Sequence, residues 1–160
     1  QDAVEYHFTD RNTFEQMIRA GDFLEHADVF GNYYGTAISE VEKKQADGKD
    51  VILEIDWQGA EQVRSQRPDA TSIFILPPSI ASLEERLTSR GQDSAESMQR
   101  RLSEARLDMS KAVDFDFLVI NEDFEAALKQ LLAVFTSARL TTSYQRRRSE
   151  IRQLIDGTAR

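Results

Sequence analysis

The sequence has 160 residues, a length that suits one compact domain with a buried core. Apolar residues make up 40% and charged residues 30%, which is typical of a globular chain and argues against disorder. No apolar run approaches the roughly 20 residues that cross a bilayer, and with no cysteines the chain has no disulfide and no thiolate metal site. The 28 acidic against 20 basic side chains give a net charge of −8, which argues against a general nucleic-acid binder, because such binding rests on many cationic contacts to phosphate.

The first 48 residues have the pattern of a small lobe made of short elements. Residues 4–9 and 23–30 alternate like strands, and a short amphipathic helix between them ends at Gly21. The Gly31-Asn32 pair after the second strand predicts a tight turn and a hairpin. A polar helix over residues 39–47 follows.

Strand and helix patterns alternate in the rest of the chain. The apolar runs 51–56, 72–76 and 117–120 predict three buried parallel strands, each followed by a helix. Ser79 is expected to cap the second of these helices and Asn121 the third. The alternation predicts an α/β fold with a parallel sheet flanked by helices.

Two carboxylates and three tyrosines are the first candidates for chemistry. Glu25 lies within a predicted strand, and Asp56 ends one, where carboxyl ends of parallel strands face the ligand crevice. Most acidic residues are solvated surface groups, so position alone leaves both readings of Asp56 open. Tyr6 and Tyr34 have hydroxyls that can hold an anion such as phosphate, whereas we interpret Tyr33 as a packing residue.

A group of arginines in the second half has the pattern of a phosphate-binding lid. Arg86 and Arg90 are one helical turn apart, Gly91 ends that helix, and Arg101 lies on the next one. Guanidinium groups bind phosphate through a rigid fork of donors. Glutamates interleave with these arginines, so a solvated charged face is the competing interpretation. The run 146–148 reads as a solvated helix face.

Seven segments, taken together, resemble the bacterial guanylate kinases. They occur in the order of that family and cover nearly the whole chain apart from the C-terminal tail. One such segment would be weak, whereas the ordered set is specific. The segments are residues 4–8, 23–27, 31–36, 52–60, 73–79, 86–91 and 119–123.

The resemblance implies a P-loop-kinase-like fold and the transfer of a phosphoryl group from ATP to GMP. It implies an α/β core with a parallel sheet, a small mixed α/β lobe for the nucleoside monophosphate, and a helical lid. The corresponding division is a GMP-binding lobe at 1–48, core at 49–85, lid at 86–112, and core with C-terminal helices at 113–160. It also implies Mg²⁺ as the companion of ATP, although no residue here fixes that ion by itself.

Residue roles follow from the same resemblance. Tyr6 and Tyr34 match positions that bind the GMP phosphate, and Gly35 matches a close-packed turn. The positions that read the guanine base correspond to Glu25, Thr36 and Asp56. Those that approach the transferred phosphates correspond to Arg86, Arg90 and Arg101, with Arg90 and Arg101 as the candidates for the transition state. Asn121 resembles a residue on the adenine side of ATP.

The sequence departs from the family at its beginning. The family starts with a strand and a Gly-rich loop ending in Gly-Lys-Ser/Thr, which cradles the phosphates of ATP. None of the seven glycines here lies in that pattern, and the following segment, which supplies a serine and two arginines to GMP, is also absent. We therefore expect an N-terminally incomplete chain, with weak GMP binding, little kinase activity and exposed apolar surface where the first strand would pair.

Two other functions compete with an enzyme that makes GDP. A guanylate-kinase-like interaction module that binds protein partners and does no catalysis fits the absent loop. The retained Glu25, Tyr34, Asp56 and arginines favour the enzyme. A kinase for another monophosphate is disfavoured by the two base-reading carboxylates. We expect a cytoplasmic protein with no nucleic-acid or membrane partner, and the sequence leaves self-association open.

Overall fold

The computed structural model describes residues 7–29, 31–88 and 95–157. The chain divides into two compact units, Gln1–Ala70 and Thr71–Arg160. Each unit combines helices with a two-stranded sheet, which confirms the mixed α/β class. Among the described residues, the longest apolar helices are still too short or too polar to cross a membrane.

The first unit opens with helix α1 (Arg11–Ala20), whose ends follow the sequence signals. Asp10 caps its N-terminus by accepting a hydrogen bond from the Thr13 N–H. Gly21 ends the helix in the left-handed conformation, with φ of 75°. The apolar side of the helix buries Phe14, and this side is the one that packs on the following strands.

The predicted hairpin is confirmed. Strand β1 (Phe23–Val29) pairs antiparallel with β2 (Asn32–Ala37). Gly31 takes the positive φ of 82° that the turn requires. The register shifts between Phe23 and Glu25, so one extra residue of β1 lies in a bulge directly before Glu25.

The expected strand over residues 51–56 does not form. After helix α2 (Ile38–Ala46) this segment takes no part in either sheet of the described residues and leads directly into helix α3 (Trp57–Gln66). Ile52 is 66% exposed. An apolar run becomes a strand only when a neighbouring strand takes its backbone N–H and C=O groups, and among the described residues no strand pairs with this segment.

The second unit is built on a parallel pair of strands, β3 (Ile73–Leu76) and β4 (Phe117–Ile120). Their connection contains helix α4 (Ile80–Thr88), helix α5 (Ala95–Ser110) and a 3-10 helix at Lys111–Asp114. Ser79 caps α4 as predicted, through its hydroxyl and the Ser82 N–H. The parallel pairing of β3 and β4 through a helical connection is what the alternating pattern predicts.

The same two strands are less buried than predicted. Val119 is 2% exposed, but Ile75, Leu118 and Ile120 are each more than half exposed. A parallel strand is buried on both faces only when other strands and helices cover them. In the described part of the chain, the sheet that contains these strands has two members.

The C-terminal part is helical, with α6 (Phe124–Leu140), α7 (Thr142–Gln145) and α8 (Ser149–Asp156). The prediction that Asn121 caps α6 is wrong. The cap is Asp123, whose Oδ1 accepts from the Ala126 N–H at 2.8 Å. Asn121 instead extends the β3–β4 ladder, because its N–H donates to the Leu76 carbonyl at 2.8 Å.

Candidate functional site

One face of the hairpin is a packing face. Phe14 of α1 stacks on Phe23, with ring centroids 4.4 Å apart, and on Tyr33 at 5.2 Å. The Tyr33 hydroxyl accepts from the Arg11 guanidinium at 3.0 Å, and that guanidinium also lies over the ring. The hydrogen bonds that Arg11 donates to Glu15 and Tyr33 raise its pKa further. Tyr33 is therefore a structural residue, as the sequence suggested.

The opposite face carries the predicted base-reading side chains. Glu25 pairs across the hairpin with Thr36, and Ala27 pairs with Tyr34, so these side chains share one face. Glu25 is the buried charged residue of the described core, at 8% exposure. Its Oε1 accepts a hydrogen bond of 2.5 Å from the Thr36 hydroxyl. Tyr34, at 47% exposure, lies two residue pairs further along, nearer the turn.

Gly35 lies in β2 between Tyr34 and Thr36, at a point of close approach to the packing face. A Cβ atom at this position would lie 2.9 Å from Cδ1 of the Phe23 ring and 3.0 Å from the Glu25 carbonyl oxygen. Glycine is needed here because β2 passes tightly over Phe23, not because of an unusual φ. The predicted close packing at Gly35 is thus present, in strand β2 and not in the turn itself.

Asp56 lies at the N-terminus of α3 in the same unit. Its Oδ1 accepts from the Gly59 N–H at 2.8 Å, which makes Asp56 the cap of that helix. A carboxylate offers about four acceptor positions on two oxygens, so a cap uses only part of its capacity. The structural and the ligand-binding interpretations of Asp56 are therefore compatible.

Sequence reasoning missed two glutamines of α3 that hold strand β1. Gln62 binds both backbone polar groups of His26, and Gln66 binds the carbonyl oxygens of Phe23 and Leu24. The only signal in the sequence is their spacing of four residues, which places them on one side of a helix. That spacing is too common to single them out.

In the second unit the structure joins two of the predicted residues. The Arg86 guanidinium of α4 donates to the Asn121 carbonyl oxygen at 2.8 Å, at the end of β4. Arg101 is exposed on α5. Arg90 and Tyr6 lie outside the described residues. Thus the hairpin brings Glu25, Thr36 and Tyr34 to one face in the first unit. The described candidates Arg86, Arg101 and Asn121 belong to the second unit.

The described residues contain no group of three histidine, aspartate or glutamate side chains that could hold a metal ion. They therefore do not form a resident metal cage. In phosphoryl-transfer enzymes Mg²⁺ is typically held by one or two carboxylates together with the phosphates of the substrate. A site of that kind does not need such a cluster.

Comparison with known proteins places these features in a family. A sequence model described as guanylate kinase matches residues 1–138. A guanylate kinase of Hahella chejuensis is 57% identical over 150 residues, covering 94% of this chain and 72% of the relative. One of Alkalilimnicola ehrlichii is 52% identical over 139 residues, covering 87% and 68%.

A solved structure agrees with the sequence relatives. The crystal structure of guanylate kinase from Anaplasma phagocytophilum superposes with a TM-score of 0.75 at 29% identity, covering 99% of this chain and 76% of the other. The fold and the sequence matches are those of an α/β phosphotransferase of the nucleoside monophosphate kinase class. Within that class the chain belongs to the guanylate kinase family. The predicted enzyme class, a nucleoside monophosphate kinase, is therefore confirmed, and the interaction module is not favoured.

Proposed function

We propose that this protein binds GMP on the hairpin face that carries Glu25, Thr36 and Tyr34, and phosphorylates it with ATP to give GDP and ADP. The observation that carries the proposal is the buried Glu25 carboxylate, which the Thr36 hydroxyl holds from the opposite strand. Its burial and fixed position make it a preorganised acceptor for a ligand.

The base is recognised by its donors. Guanine has adjacent N1–H and N2–H donors, and an ionised carboxylate only accepts, so Glu25 and Asp56 are complementary to that edge. Adenine has an acceptor at N1 and no amine at C2, so that edge would give the buried Glu25 carboxylate no donor beyond the Thr36 hydroxyl. An unpaired buried polar group is costly, and discrimination by such a site is correspondingly large.

The phosphate of GMP is assigned to tyrosine hydroxyls. Tyr34 lies on the same face as Glu25, two residue pairs further along the hairpin, which suits a nucleotide that lies along the face with its base at Glu25. Tyr6 is assigned the same role from the family resemblance. Gly35 shapes this face through its close approach to Phe23.

The transfer step is assigned to the arginines of residues 86–112, the proposed lid. A phosphate oxygen of GMP forms a bond to the γ-phosphorus of ATP, and the bond from that phosphorus to the β-phosphate oxygen breaks, releasing ADP. The protein's part is to position the two phosphates and to stabilise the charge on the transferring group. We assign the stabilisation of that charge to Arg90 and Arg101. Arg86 is assigned to binding the phosphates nearby.

The ATP side is assigned to Asn121 at the end of β4. Mg²⁺ enters as the companion of the ATP phosphates, whose charge it neutralises. The proposed division of the chain follows these roles. It consists of a GMP-binding lobe at 1–48, core at 49–85, the lid at 86–112, and core with C-terminal helices at 113–160. The proposed partners are GMP and ATP, without nucleic acid or membrane, and the compartment is the cytoplasm, where both nucleotides are made and used.

The test is a phosphoryl-transfer assay on the protein expressed from its natural gene. We expect ATP- and Mg²⁺-dependent formation of GDP from GMP, and a much lower kcat/KM with AMP or CMP. An Arg101→Ala variant should have a strongly reduced kcat and a KM for GMP that changes less, because the charge of Arg101 is needed in the transition state. Equal turnover of AMP and GMP would contradict the proposed base reading.

A further inference from the structure

The backbone on both sides of Glu25 is held by one helix. Gln66 of α3 donates to the carbonyl oxygen of Leu24, the residue before Glu25, at 3.0 Å. Gln62 holds the residue after it: its Oε1 accepts from the His26 N–H and its Nε2 donates to the His26 carbonyl, both at 3.1 Å. These contacts are partly buried.

The glutamine contacts satisfy backbone polar groups of β1 that the hairpin does not pair. β1 pairs with β2 on one edge only, within the described sheets, so the backbone groups of its other edge require partners. The register shift between Phe23 and Glu25 interrupts the regular pairing of β1 at this point. Gln66 also donates to the Phe23 carbonyl there, at 3.1 Å. A bulge changes the direction of the side chain that follows it, and here that side chain is Glu25.

The same helix begins at the second carboxylate. Asp56 caps α3 through the Gly59 N–H, and Gln62 and Gln66 lie further along that helix. A helix has a fixed rise of about 1.5 Å per residue and is stiff over this length. Because Gln62 and Gln66 hold α3 to the backbone of His26 and Leu24, they also hold Glu25 at a set distance from Asp56.

We propose that Gln62 and Gln66 are positioning residues that set the selectivity for guanine. They hold the Glu25 backbone against α3 and so keep the two carboxylates at the spacing that the guanine edge requires. This inference rests on the proposed function of Glu25 and Asp56. Neither glutamine contacts the nucleotide in this account.

The test compares nucleotide affinities in matched variants. Gln62→Met keeps the side-chain length and removes both hydrogen bonds, and Gln45→Met makes the same change at an exposed position of α2. Calorimetry gives the Kd of GMP and of IMP, which has the N1–H but no N2 amine. We expect Gln62→Met to raise the Kd of GMP about fivefold or more and the Kd of IMP by less, so that the preference for GMP falls. Gln45→Met should match wild type.

Two further measurements keep the test decisive. Hydrogen exchange of the His26 amide should accelerate in Gln62→Met, because its acceptor is lost. If Gln62→Met does not fold, Gln66→Met tests the contacts of the same helix to the Phe23 and Leu24 carbonyl oxygens. This variant should also lower the GMP preference.

The outcomes separate this inference from the proposed function. A wild-type protein that prefers GMP, with unchanged preference in the folded glutamine variants, overturns the positioning role and leaves the base reading intact. Equal weakening of GMP and IMP would make the contacts merely stabilising, and also overturns it. A wild-type protein without a preference for GMP overturns the proposed function and the inference together.

Discussion

Gly35 is the residue at which stability and binding depend on the same contact. β2 passes so close to Phe23 that a Cβ atom here would lie within 3.0 Å of both the ring and the Glu25 carbonyl oxygen. Phe23 is itself buried and stacked on Phe14, so it has little space to move. A side chain at position 35 must therefore displace the backbone that carries Glu25.

We predict that Gly35→Ala destabilises the protein and weakens GMP binding. Overpacking of this kind costs about 1–3 kcal/mol, which denaturant unfolding measures as a lower midpoint. The displacement of Glu25 should raise the Kd of GMP in the same variant. Ser39→Ala, at an exposed position of α2, serves as control. Wild-type stability in Gly35→Ala would show that Phe23 moves without cost.

At the scale of single residues, the local sequence singled out Glu25 and Asp56 as candidates, and their binding roles stay predictions. Glu25 and Asp56 stand out because carboxylates are unusual within or at the end of an apolar strand pattern, and the family resemblance gives them roles. The roles of Gln62 and Gln66 were not predictable, because they arise when α3 packs against a strand some 36 to 43 residues away in sequence. No local pattern encodes that contact.

Helix α1 has a titratable cap, Asp10. The pKa of Asp10 lies below its ordinary value of 3.8 because the Thr13 hydroxyl, and then the Thr13 N–H, donate to its carboxylate. The charged form is thus favoured in the folded state. Its stabilising contribution is complete above the unfolded pKa and is lost as the pH falls through the lower folded pKa.

We predict that Asp10→Asn makes α1 less sensitive to acid. Asparagine caps helices about as well as aspartate but does not titrate. The melting temperature of the variant should therefore fall less than that of wild type between about pH 5 and pH 2. An identical fall in both proteins would show that the Asp10 cap does not contribute to acid sensitivity.

At the scale of elements, two helix caps were predicted from the sequence, of which Ser79 is confirmed and Asn121 is wrong. The hairpin, α1, the Ser79 cap and the β3–β4 crossover are confirmed, because turn residues, caps and periodicity act locally. The strand over 51–56 and the burial of β3 and β4 were wrong, because both depend on which neighbours cover a segment. The cap of α6 was misplaced by two residues, from Asp123 to Asn121.

For the whole molecule, a net charge of −8 opposes the approach of anionic nucleotides. Binding must therefore come from local groups: acceptors for the base on the first unit, and tyrosine hydroxyls and arginines for the phosphates. The class of fold and the family were predictable from the sequence, because ordered motifs survive across relatives. The separation of the described candidates into two compact units became visible only in the structure.

The central claim is that a buried hairpin carboxylate selects guanine, and calorimetry with a charge-neutral variant tests it directly. GMP should bind the wild-type protein more tightly than AMP. Glu25→Gln should weaken GMP on the order of 10- to 100-fold, because a hydrogen bond to a charged group is lost and an amide donor faces the base donors. Glu61→Gln, exposed on α3, should bind GMP like wild type. Undiminished GMP affinity in a folded Glu25→Gln variant would contradict the account.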